Sequence, residues 1–486
     1  MRLTRRGMLA GAGAALALPA AAEAPQSSPR PRARTVVASP TARIVGNAGL
    51  SGTVGFVVAD AATGRVLDAV APDHGLPPAS VTKAVTTCYG MDALQPDYRF
   101  RTAILADGPV TNGILHGNLI LVGGGDPNLQ TDDLAELAKR LKASGLTEVR
   151  GAFQVWDRAL VNIDEIDPTQ MDHLGYNPAV GGLNLNFNRV HFEWKQEGDE
   201  YTTALDARSE TFRPAVTTAA IEVVDEPYPV FTYRGAGNVD HWTVARQALN
   251  SAGSRWLPVR HPALYAGEVF ATFARNHGIV LKPPQEIEAR PVGQVLAEIE
   301  SAPLTEMARL MLLYSTNLTA EAIGLTATVA RTGQTRGLHT SALGMARWAQ
   351  GRGAGDAFFT DHSGLGDQSR ISAGDMVRLL TADGTAEMLR PLLRNVALTN
   401  AEGKPLASAP GVVRAKTGTL NFVSGLAGYI RTKRGRNLAF AYFSADLEAR
   451  EEGKRSGAEI PAGARPWNRQ SRRLQQELLQ HWAQSV

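Results

Sequence analysis

Apolar and polar side chains alternate differently in three successive parts of the chain. In the first part, residues 52–60 and 65–70 are rich in strand-forming side chains and flank a short turn, which predicts a β-hairpin. Pro77 and Pro78 follow, and they favour an extended backbone that permits a helix to begin just after them. The sequence therefore predicts a helix that reaches about Leu94.

The second part, residues 97–257, is dominated by short strand-like runs. One helix interrupts them at residues 132–143, where apolar side chains recur at helical spacing. A block of about 160 residues is long enough to bury a core of its own. We therefore expect residues 91–259 to form an inserted β-rich region of one or two subdomains.

In the third part the helical spacing returns. We expect helices at residues 261–276, 304–314, 320–331 and 373–380, and strands at residues 412–419, 425–431 and 437–444. These elements would join the hairpin and first helix in one domain. Its expected bounds are residues 41–90 together with residues 260–486.

The C-terminal tail carries one apolar stripe. Leu474, Leu478, Leu479 and Trp482 recur at helical spacing. This pattern favours a helix packed on the sheet of its own domain. Contact of this helix with a membrane surface is the open alternative.

Composition narrows the classes of function. The 486 residues exceed what one hydrophobic core usually serves, so several domains are expected. The formal net charge of +3 is too small to indicate that the protein binds nucleic acid. A single cysteine, Cys88, excludes internal disulfides, and the ten histidines show no metal-binding spacing. We therefore expect neither a metal nor another cofactor.

The N-terminus has the layout of an export signal. A paired Arg5-Arg6 precedes a short Ala- and Gly-rich run, and a small-residue A-x-A site ends at Ala24. Residues 1–24 resemble a twin-arginine signal, which predicts a periplasmic protein, and the Sec route stays open. Residues 25–40 are rich in Pro, Ser and Arg and are expected to be a flexible lead-in.

The start of the first predicted helix carries candidate chemistry. Ser80 and Lys83 lie three residues apart and therefore on the same helix face. A neutral lysine can take the serine proton, and the free N–H groups of a helix start lie near the oxygen that becomes negative in acyl transfer. Alone, this spacing proves little.

Two further motifs strengthen the interpretation of Ser80 and Lys83 as a catalytic pair. Ser315-Thr316-Asn317 is predicted at the junction of two helices, and Lys416-Thr417-Gly418 on a strand. There Gly418 would let a substrate backbone approach closely. The order Ser-x-x-Lys, Ser-x-Asn, Lys-Thr-Gly is the order found in penicillin-binding proteins and serine β-lactamases.

With these residues in view, the chain resembles the class C low-molecular-mass penicillin-binding proteins, a family of D-alanyl-D-alanine carboxypeptidases that also act as D,D-endopeptidases. Family-like stretches span the chain from about residue 42 to about residue 447; they include residues 79–83, 97–102, 117–127, 315–321, 363–365 and 416–420. The distance from the first motif to the second also fits, because this family inserts extra domains there. Compact serine β-lactamases have no room for such an insert.

The resemblance implies an α+β fold. Its transpeptidase-like, or β-lactamase-like, domain has a five-stranded antiparallel sheet with helices on both sides and carries the β-rich insert. It implies peptidoglycan stem peptides as substrates and β-lactam antibiotics as covalent inhibitors. Two rival functions are a serine β-lactamase, for which we find no deacylating glutamate, and a catalytically silent peptidoglycan-binding scaffold, which would not need Ser80 and Lys83.

The resemblance also implies the catalytic roles. Ser80 would attack the carbonyl between two terminal D-alanines and form an acyl-enzyme, with Lys83 as the base. Ser315 and Asn317 would complete the proton relay and hold the substrate amide.

Substrate binding is assigned to the third motif in the same way. Lys416, Thr417 and Thr419 form the implied binding strand, and Lys416 and Thr419 would meet the terminal carboxylate. The backbone N–H groups of Ser80 and Thr419 would form the oxyanion hole.

Four positions depart from the family pattern. Thr316 stands where Asp or Asn is usual, His362 replaces a glycine, and Asn421 and Phe422 follow the third motif where smaller residues are usual. We expect these residues at the rim of the cleft, where they would affect substrate detail.

Overall fold

The computed structural model describes residues 40–485. The expected export signal and all but the last residue of the expected lead-in lie outside the described residues. The first described elements are α1 (Pro40–Ala48), β1 (Thr53–Asp60), β2 (Val66–Val70) and α2 (Thr82–Leu94). The two strands pair antiparallel, which confirms the predicted hairpin, and α2 ends at the predicted residue.

The insert follows α2 directly. Its elements, in chain order, are β3 (Arg101–Ala106), β4 (Val110–Thr111), β5 (Ile114–Leu115), β6 (Leu119–Gly123), α3 (Thr131–Ala143), β7 (Glu148–Val149), β8 (Phe153–Trp156), β9 (Arg189–Glu197), β10 (Glu200–Asp206), β11 (Ala219–Val224), β12 (Phe231–Ala236), β13 (Val239–Ala245), β14 (Ala252–Pro258), α4 (Pro262–Asn276), β15 (Pro284–Glu286) and β16 (Gln294–Glu300). They build one five-stranded sheet, ordered β15-β8-β6-β3-β16, and three small three-stranded sheets.

The insert continues beyond the boundary expected near residue 260. Helix α4 contributes Phe270 and Phe273 to the same buried cluster as Leu134 and Leu137 of α3. Strands β15 and β16 form the two edges of the five-stranded sheet. We therefore place the end of the insert near Ser301, because α4 buries its apolar face within the insert and not against the other domain.

The chain then returns to the first domain. The remaining elements are α5 (Leu304–Tyr314), α6 (Asn317–Thr332), α7 (Leu338–Gln350), α8 (Ala373–Leu380), α9 (Thr385–Leu389), β17 (Arg394–Val396), β18 (Gly411–Leu420), β19 (Val423–Thr432), β20 (Asn437–Ala445), α10 (Leu447–Arg455) and α11 (Ala464–Ser485). The sequence patterns predicted α5 and α8 at both ends and did not predict α7 or α10.

The domain is built on an antiparallel sheet ordered β17-β18-β19-β20-β1-β2. It therefore has six strands where five were expected, because the three-residue β17 adds to one edge. Alternate side chains of β1 face opposite layers: Val57 joins the cluster with α2, α5 and α7, whereas Phe56 and Val58 join the cluster with α11. Helices thus cover both faces of the sheet.

The tail stripe lies against this sheet. Leu474, Leu478, Leu479 and Trp482 are buried, and the Trp482 ring lies 5.2 Å from that of Phe56. This confirms that α11 packs on its own domain. Among residues 40–485, no helix combines the length and the apolar character that crossing a membrane would require.

Candidate active site

Ser80 lies in a single turn of 3₁₀ helix, Ala79–Val81, that leads into α2. Two glycines allow other segments to close on this turn. A Cβ on Gly364 would come within 1.9 Å of the Ala79 carbonyl oxygen, and a Cβ on Gly418 would lie 2.5 Å from the Pro78 carbonyl oxygen. Gly418 therefore makes room for the turn that carries Ser80, a purpose that the sequence did not suggest.

Lys83 is fully buried one turn further along α2. Its Nζ donates to Ser80 Oγ at 3.1 Å, to Asn317 Oδ1 at 2.7 Å and to the Ser363 carbonyl at 2.7 Å. Three hydrogen-bond acceptors hold the Lys83 amine in one position beside the Ser80 hydroxyl. The predicted contact of Ser80 with Lys83 is present.

Burial lowers the pKa of Lys83 to about 8, because the charged amine loses its hydration. Two buried carboxylates, those of Glu321 and Asp361, act against this effect by favouring the ammonium form. Burial in turn raises the pKa of Glu321 to about 8. Lys83 thus has a substantial neutral fraction near pH 8, which is what a general base requires.

The two carboxylates are held by backbone N–H groups. Glu321 Oε2 accepts from His362 N at 2.8 Å, and Asp361 Oδ2 accepts from Gly366 N at 2.7 Å. Glu321 Oε1 is buried and has no hydrogen-bond partner among the described residues. Sequence reasoning placed Glu321 only in a family-like stretch and missed Asp361, because a buried carboxylate has no periodic signal.

Ser315 and Asn317 lie at the junction of α5 and α6, as predicted. Ser315 ends α5 with a φ of 62°, a conformation that a residue with a Cβ adopts only when its surroundings hold it there. Asn317 begins α6; its Oδ1 faces Lys83, and its Nδ2 donates to the Tyr176 carbonyl at 2.9 Å. The side chain of Asn317 thus connects the base to the insert.

Lys416 is the second buried lysine of the site. Its Nζ donates to Ser315 Oγ at 3.0 Å and to the Thr417 carbonyl at 2.9 Å. Burial, together with the positive charges of Lys83 and Arg394, lowers its pKa to about 6. In the free enzyme Lys416 is therefore largely neutral at pH 7.

Thr417 and Thr419 occupy different surroundings on β18. Thr419 is exposed and lines the cleft, whereas Thr417 Oγ1 accepts a hydrogen bond from Arg394 Nη2 at 3.2 Å. Of the three residues, Thr419 belongs to the cleft lining, whereas Lys416 and Thr417 do not; Lys416 reaches the site through its bond to Ser315.

The cleft has a volume of about 790 Å³ and is lined by Ser80, Ser315, Asn317 and Thr419 together with parts of both domains. The insert contributes lining residues between positions 169 and 176, and the first domain contributes others between positions 450 and 461; the two segments meet where His173 lies 3.8 Å from Glu459. Glu459 is the one carboxylate among the described residues that line it. A space of this size accommodates a peptide of several residues.

Arg260 anchors the insert wall. Its side chain is 8% exposed, and Nη1 donates to the Asp164 carbonyl at 2.6 Å and to the Asn177 carbonyl at 2.9 Å. Nη2 donates to the Asp172 carbonyl at 3.1 Å. One guanidinium therefore holds the loop that delivers the Tyr176 carbonyl to Asn317, a contact that sequence reasoning missed because neither partner belongs to a motif.

Two of the residues expected at the cleft rim are buried elsewhere. His362 is fully buried beside Tyr89 and donates to or accepts from Ser341 Oγ at 2.8 Å, and burial lowers its pKa to about 3. Phe422 packs on Trp467. Asn421 does line the cleft, as expected. His362 and Phe422 therefore fill the core behind the site and do not shape the cleft rim.

One group of potential metal ligands occurs among residues 40–485. His191, Glu193 and Asp206 lie on the paired strands β9 and β10. Arg208 Nη2 already donates to Glu193 Oε2 at 2.5 Å and to Asp206 Oδ2 at 2.9 Å. A metal would have to displace this cation, so the group gives no argument for a metal centre.

Comparison with known proteins places these observations in context. Residues 42–462 match the D-Ala-D-Ala carboxypeptidase 3 (S13) family. The chain is 29% identical over 432 residues to the D-alanyl-D-alanine carboxypeptidase of an Actinomadura strain, covering 81% of this chain and 78% of that protein. It is 26% identical over 403 residues to the D-alanyl-D-alanine carboxypeptidase DacB of Haemophilus influenzae, covering 76% and 82%.

Solved structures give the same fold. The crystal structure of penicillin binding protein 4 (dacB) from Haemophilus influenzae has a TM-score of 0.73 to this chain at 19% identity, covering 90% of this chain and 99% of the other. The same protein complexed with a novel β-lactam gives a TM-score of 0.70. The α+β fold expected from the sequence is therefore confirmed.

Proposed function

The chain belongs to the D-Ala-D-Ala carboxypeptidase 3 (S13) family, and from that premise we propose how its own residues perform the reaction. It is a serine-type D-alanyl-D-alanine carboxypeptidase, a hydrolase. The observation that carries the mechanism is the contact of Lys83 Nζ with Ser80 Oγ at 3.1 Å inside a buried, three-acceptor amine site.

In the first step, neutral Lys83 takes the proton of Ser80, and Oγ attacks the carbonyl carbon between the two terminal D-alanines. The bond from that carbon to the leaving nitrogen then breaks, and the leaving amine takes up a proton. Ser315, whose Oγ accepts from Lys416, and Asn317, whose Oδ1 accepts from Lys83, are suited to relay this proton and to hold the substrate amide. Water afterwards hydrolyses the Ser80 ester.

The carbonyl oxygen becomes negative during the attack. We assign the backbone N–H groups of Ser80 and Thr419 as its hydrogen-bond donors. Support comes from the close approach of β18 to the Ser80 turn, since a Cβ on Gly418 would lie only 3.1 Å from Ser80 N. A larger residue at position 418 would separate the two donors.

Lys416 and Thr419 are assigned to the terminal carboxylate of the substrate. Burial and the positive charges of Lys83 and Arg394 lower the pKa of Lys416 to about 6 in the free cleft. An arriving carboxylate supplies the missing counter-charge, so substrate binding would raise this pKa and draw a proton onto Lys416. Thr417 is assigned to the same binding strand, and its Oγ1 accepts a hydrogen bond from Arg394.

Peptidoglycan stem peptides are the proposed substrates, in both the carboxypeptidase reaction and the cleavage of D,D-cross-links. β-Lactams would acylate Ser80 in the same way. With penicillin the leaving amine stays tethered and obstructs the water, so hydrolysis of the adduct needs a dedicated base. Glu459 is the one carboxylate among the described residues that line the cleft. Its side chain is half exposed, and its Oε2 lies 3.8 Å from His173 Nε2.

Intact-protein mass spectrometry after brief exposure to penicillin tests this proposal. We expect a covalent adduct on Ser80 that lasts many minutes, together with release of D-alanine from a pentapeptide. Ser80→Ala should give neither. Rapid turnover of penicillin without D-alanine release would instead indicate a β-lactamase, and neither adduct nor product would indicate a binding scaffold.

Export is proposed from residues 1–24, and the twin-arginine route from Arg5 and Arg6. Changing both arginines to lysine should block delivery of the protein to the periplasm, measured by cell fractionation. Normal delivery of the double variant would rule out the twin-arginine route and leave secretion by the Sec route.

A further inference from the structure

A second concave surface adjoins the catalytic cleft. It has a volume of about 690 Å³ and shares Gln170, Met171, Gly457 and Glu459 with the cleft lining. Residues 228–233 of the insert form its far wall. We call this surface the side groove; because the two spaces share a wall, one extended ligand can occupy both.

Aromatic side chains form part of the side groove. The Phe231 ring stacks on His173 with centroids 5.0 Å apart, and the Arg255 guanidinium carbon lies 5.0 Å from the Phe231 centroid. Tyr228 is 80% exposed, the most exposed tyrosine among the large hydrophobic residues of residues 40–485. Exposed aromatic surface of this kind is typical of a binding site.

The far wall also offers an open strand edge. Strand β12 lies at the edge of the sheet ordered β11-β13-β12, and its residues 231–233 line the side groove. The backbone groups on the outer side of an edge strand can pair with an extended peptide, which adds a strand to the sheet. The side groove is therefore suited to a peptide in extended conformation.

Arg255 supplies the one permanent positive charge among the described residues that line the side groove. Arg255 makes no ion pair with any described carboxylate and is held over Phe231. Five other ionisable side chains line the same space: Asp172, His173, Tyr228, Tyr233 and Glu459. His173 lies 3.8 Å from Glu459. Arg255 is therefore the cation in the side groove that is free to meet an anionic ligand.

We propose that the side groove binds the second, carboxylate-bearing peptide of cross-linked peptidoglycan, the strand to which the cleaved stem is joined. This peptide would lie along β12 with a carboxylate on Arg255. The inference rests on the proposed function and extends it, because it makes cross-linked polymer a better substrate than a short peptide with the same scissile bond.

The test compares three substrates: a short N-acylated peptide ending in D-Ala-D-Ala, a cross-linked muropeptide dimer, and the same dimer with the carboxylates of its second peptide amidated except the one beside the scissile bond, which is assigned to Lys416 and Thr419. Arg255→Gln should lower kcat/KM for the unmodified dimer by about tenfold or more, through KM, and leave the short peptide unchanged. Arg255→Lys should retain part of the dimer activity. Amidation should lower the wild-type value by a similar factor, and Arg255→Gln should add no further loss.

Arg234→Gln is the matched control. Arg234 lies on β12, is exposed, and faces a different concave surface beside His241 and Trp242. The Arg234→Gln variant removes one positive charge, as Arg255→Gln does, and should not alter the preference for the dimer. The rate of penicillin acylation reports whether each variant is correctly folded.

Several results would overturn the inference: an unchanged dimer activity in Arg255→Gln, equal losses on dimer and short peptide, an equal effect of Arg234→Gln, or wild-type activity on the short peptide with none on the dimer. Failure of the wild type on every substrate, without a penicillin adduct, would instead contradict the proposed function and remove the basis of this inference with it.

Discussion

Two lysine–serine pairs lie side by side in the cleft, and their surroundings differ. Lys83 and Lys416 are both buried, and each amine lies about 3 Å from a serine hydroxyl, at 3.1 Å and 3.0 Å. Behind Lys83 lie the carboxylates of Glu321 and Asp361, whereas Lys416 faces the positive charges of Lys83 and Arg394. The pKa is lowered to about 8 in the first case and to about 6 in the second.

This difference in surroundings supports the two different roles proposed for Lys83 and Lys416. The carboxylates behind Lys83 limit the effect of burial, so the amine is basic enough to hold a proton after taking it from Ser80. Among the described residues, the charged groups that act on Lys416 are positive, and in the proposed function the substrate carboxylate would supply its counter-charge. The geometry of each pair is nearly the same, and the electrostatic surroundings distinguish a base from a carboxylate receptor.

The strongest test of this distinction exchanges each lysine for arginine. Guanidinium cannot give up its proton at accessible pH, so Lys83→Arg should lower the rate of penicillin acylation by about a thousandfold or more. Lys416→Arg keeps the positive charge that a carboxylate receptor needs and should retain far more activity. Near-normal acylation by Lys83→Arg would exclude Lys83 as the base, and loss of acylation in Lys416→Arg alone would reverse the two roles.

A smaller effect should follow from changing the substrate. Amidation of its terminal carboxylate removes the attraction to Lys416 and charged hydrogen bonds that contribute about 1.5 to 3 kcal/mol each, so kcat/KM should fall roughly 10- to 100-fold. In Lys416→Gln the free acid and the amide should be cleaved at similar rates. Equal turnover of both substrates by the wild type would contradict the assignment of Lys416 and Thr419.

The pH dependence of the acylation rate should show the effect of the carboxylates behind Lys83. Lys83 acts when it is neutral, so acylation by the wild type should rise with pH through about 8 and level off above it. Glu321→Gln keeps a hydrogen-bond acceptor for His362 N but removes a charge that raises the pKa of Lys83, so the rise should move to lower pH. A profile that stays in place or moves to higher pH would show that Glu321 does not act on Lys83.

The smallest effect is expected from Arg394. Its charge lowers the pKa of Lys416, and Arg394 is exposed, so solvent screens much of this interaction. Lys416 must be protonated to attract a carboxylate, and its attraction weakens as pH rises above its free-enzyme pKa. Arg394→Gln raises that pKa, so KM for the free-acid substrate should begin to increase at a higher pH than in the wild type. A uniform loss of affinity at every pH would instead make Arg394 a direct ligand of the carboxylate.

The sequence by itself determined the local elements and the catalytic motifs. Helical spacing predicted α5 and α8 at both ends, the proline pair marked the turn before α2, and a three-residue step placed Lys83 beside Ser80. These features depend on side chains that are close in the chain, so periodicity and spacing record them directly. The order of the three motifs then indicated the family that residues 42–462 match.

Only the tertiary structure decided what surrounds those motifs. The insert extends to about Ser301 because α4 buries its apolar face there. His362, which departs from the family pattern, lies in the core. The carboxylates behind Lys83 and the clamp formed by Arg260 join segments that are far apart in sequence. Burial and electrostatic fields sum over all atoms nearby in space, and a pattern along the chain does not contain that sum.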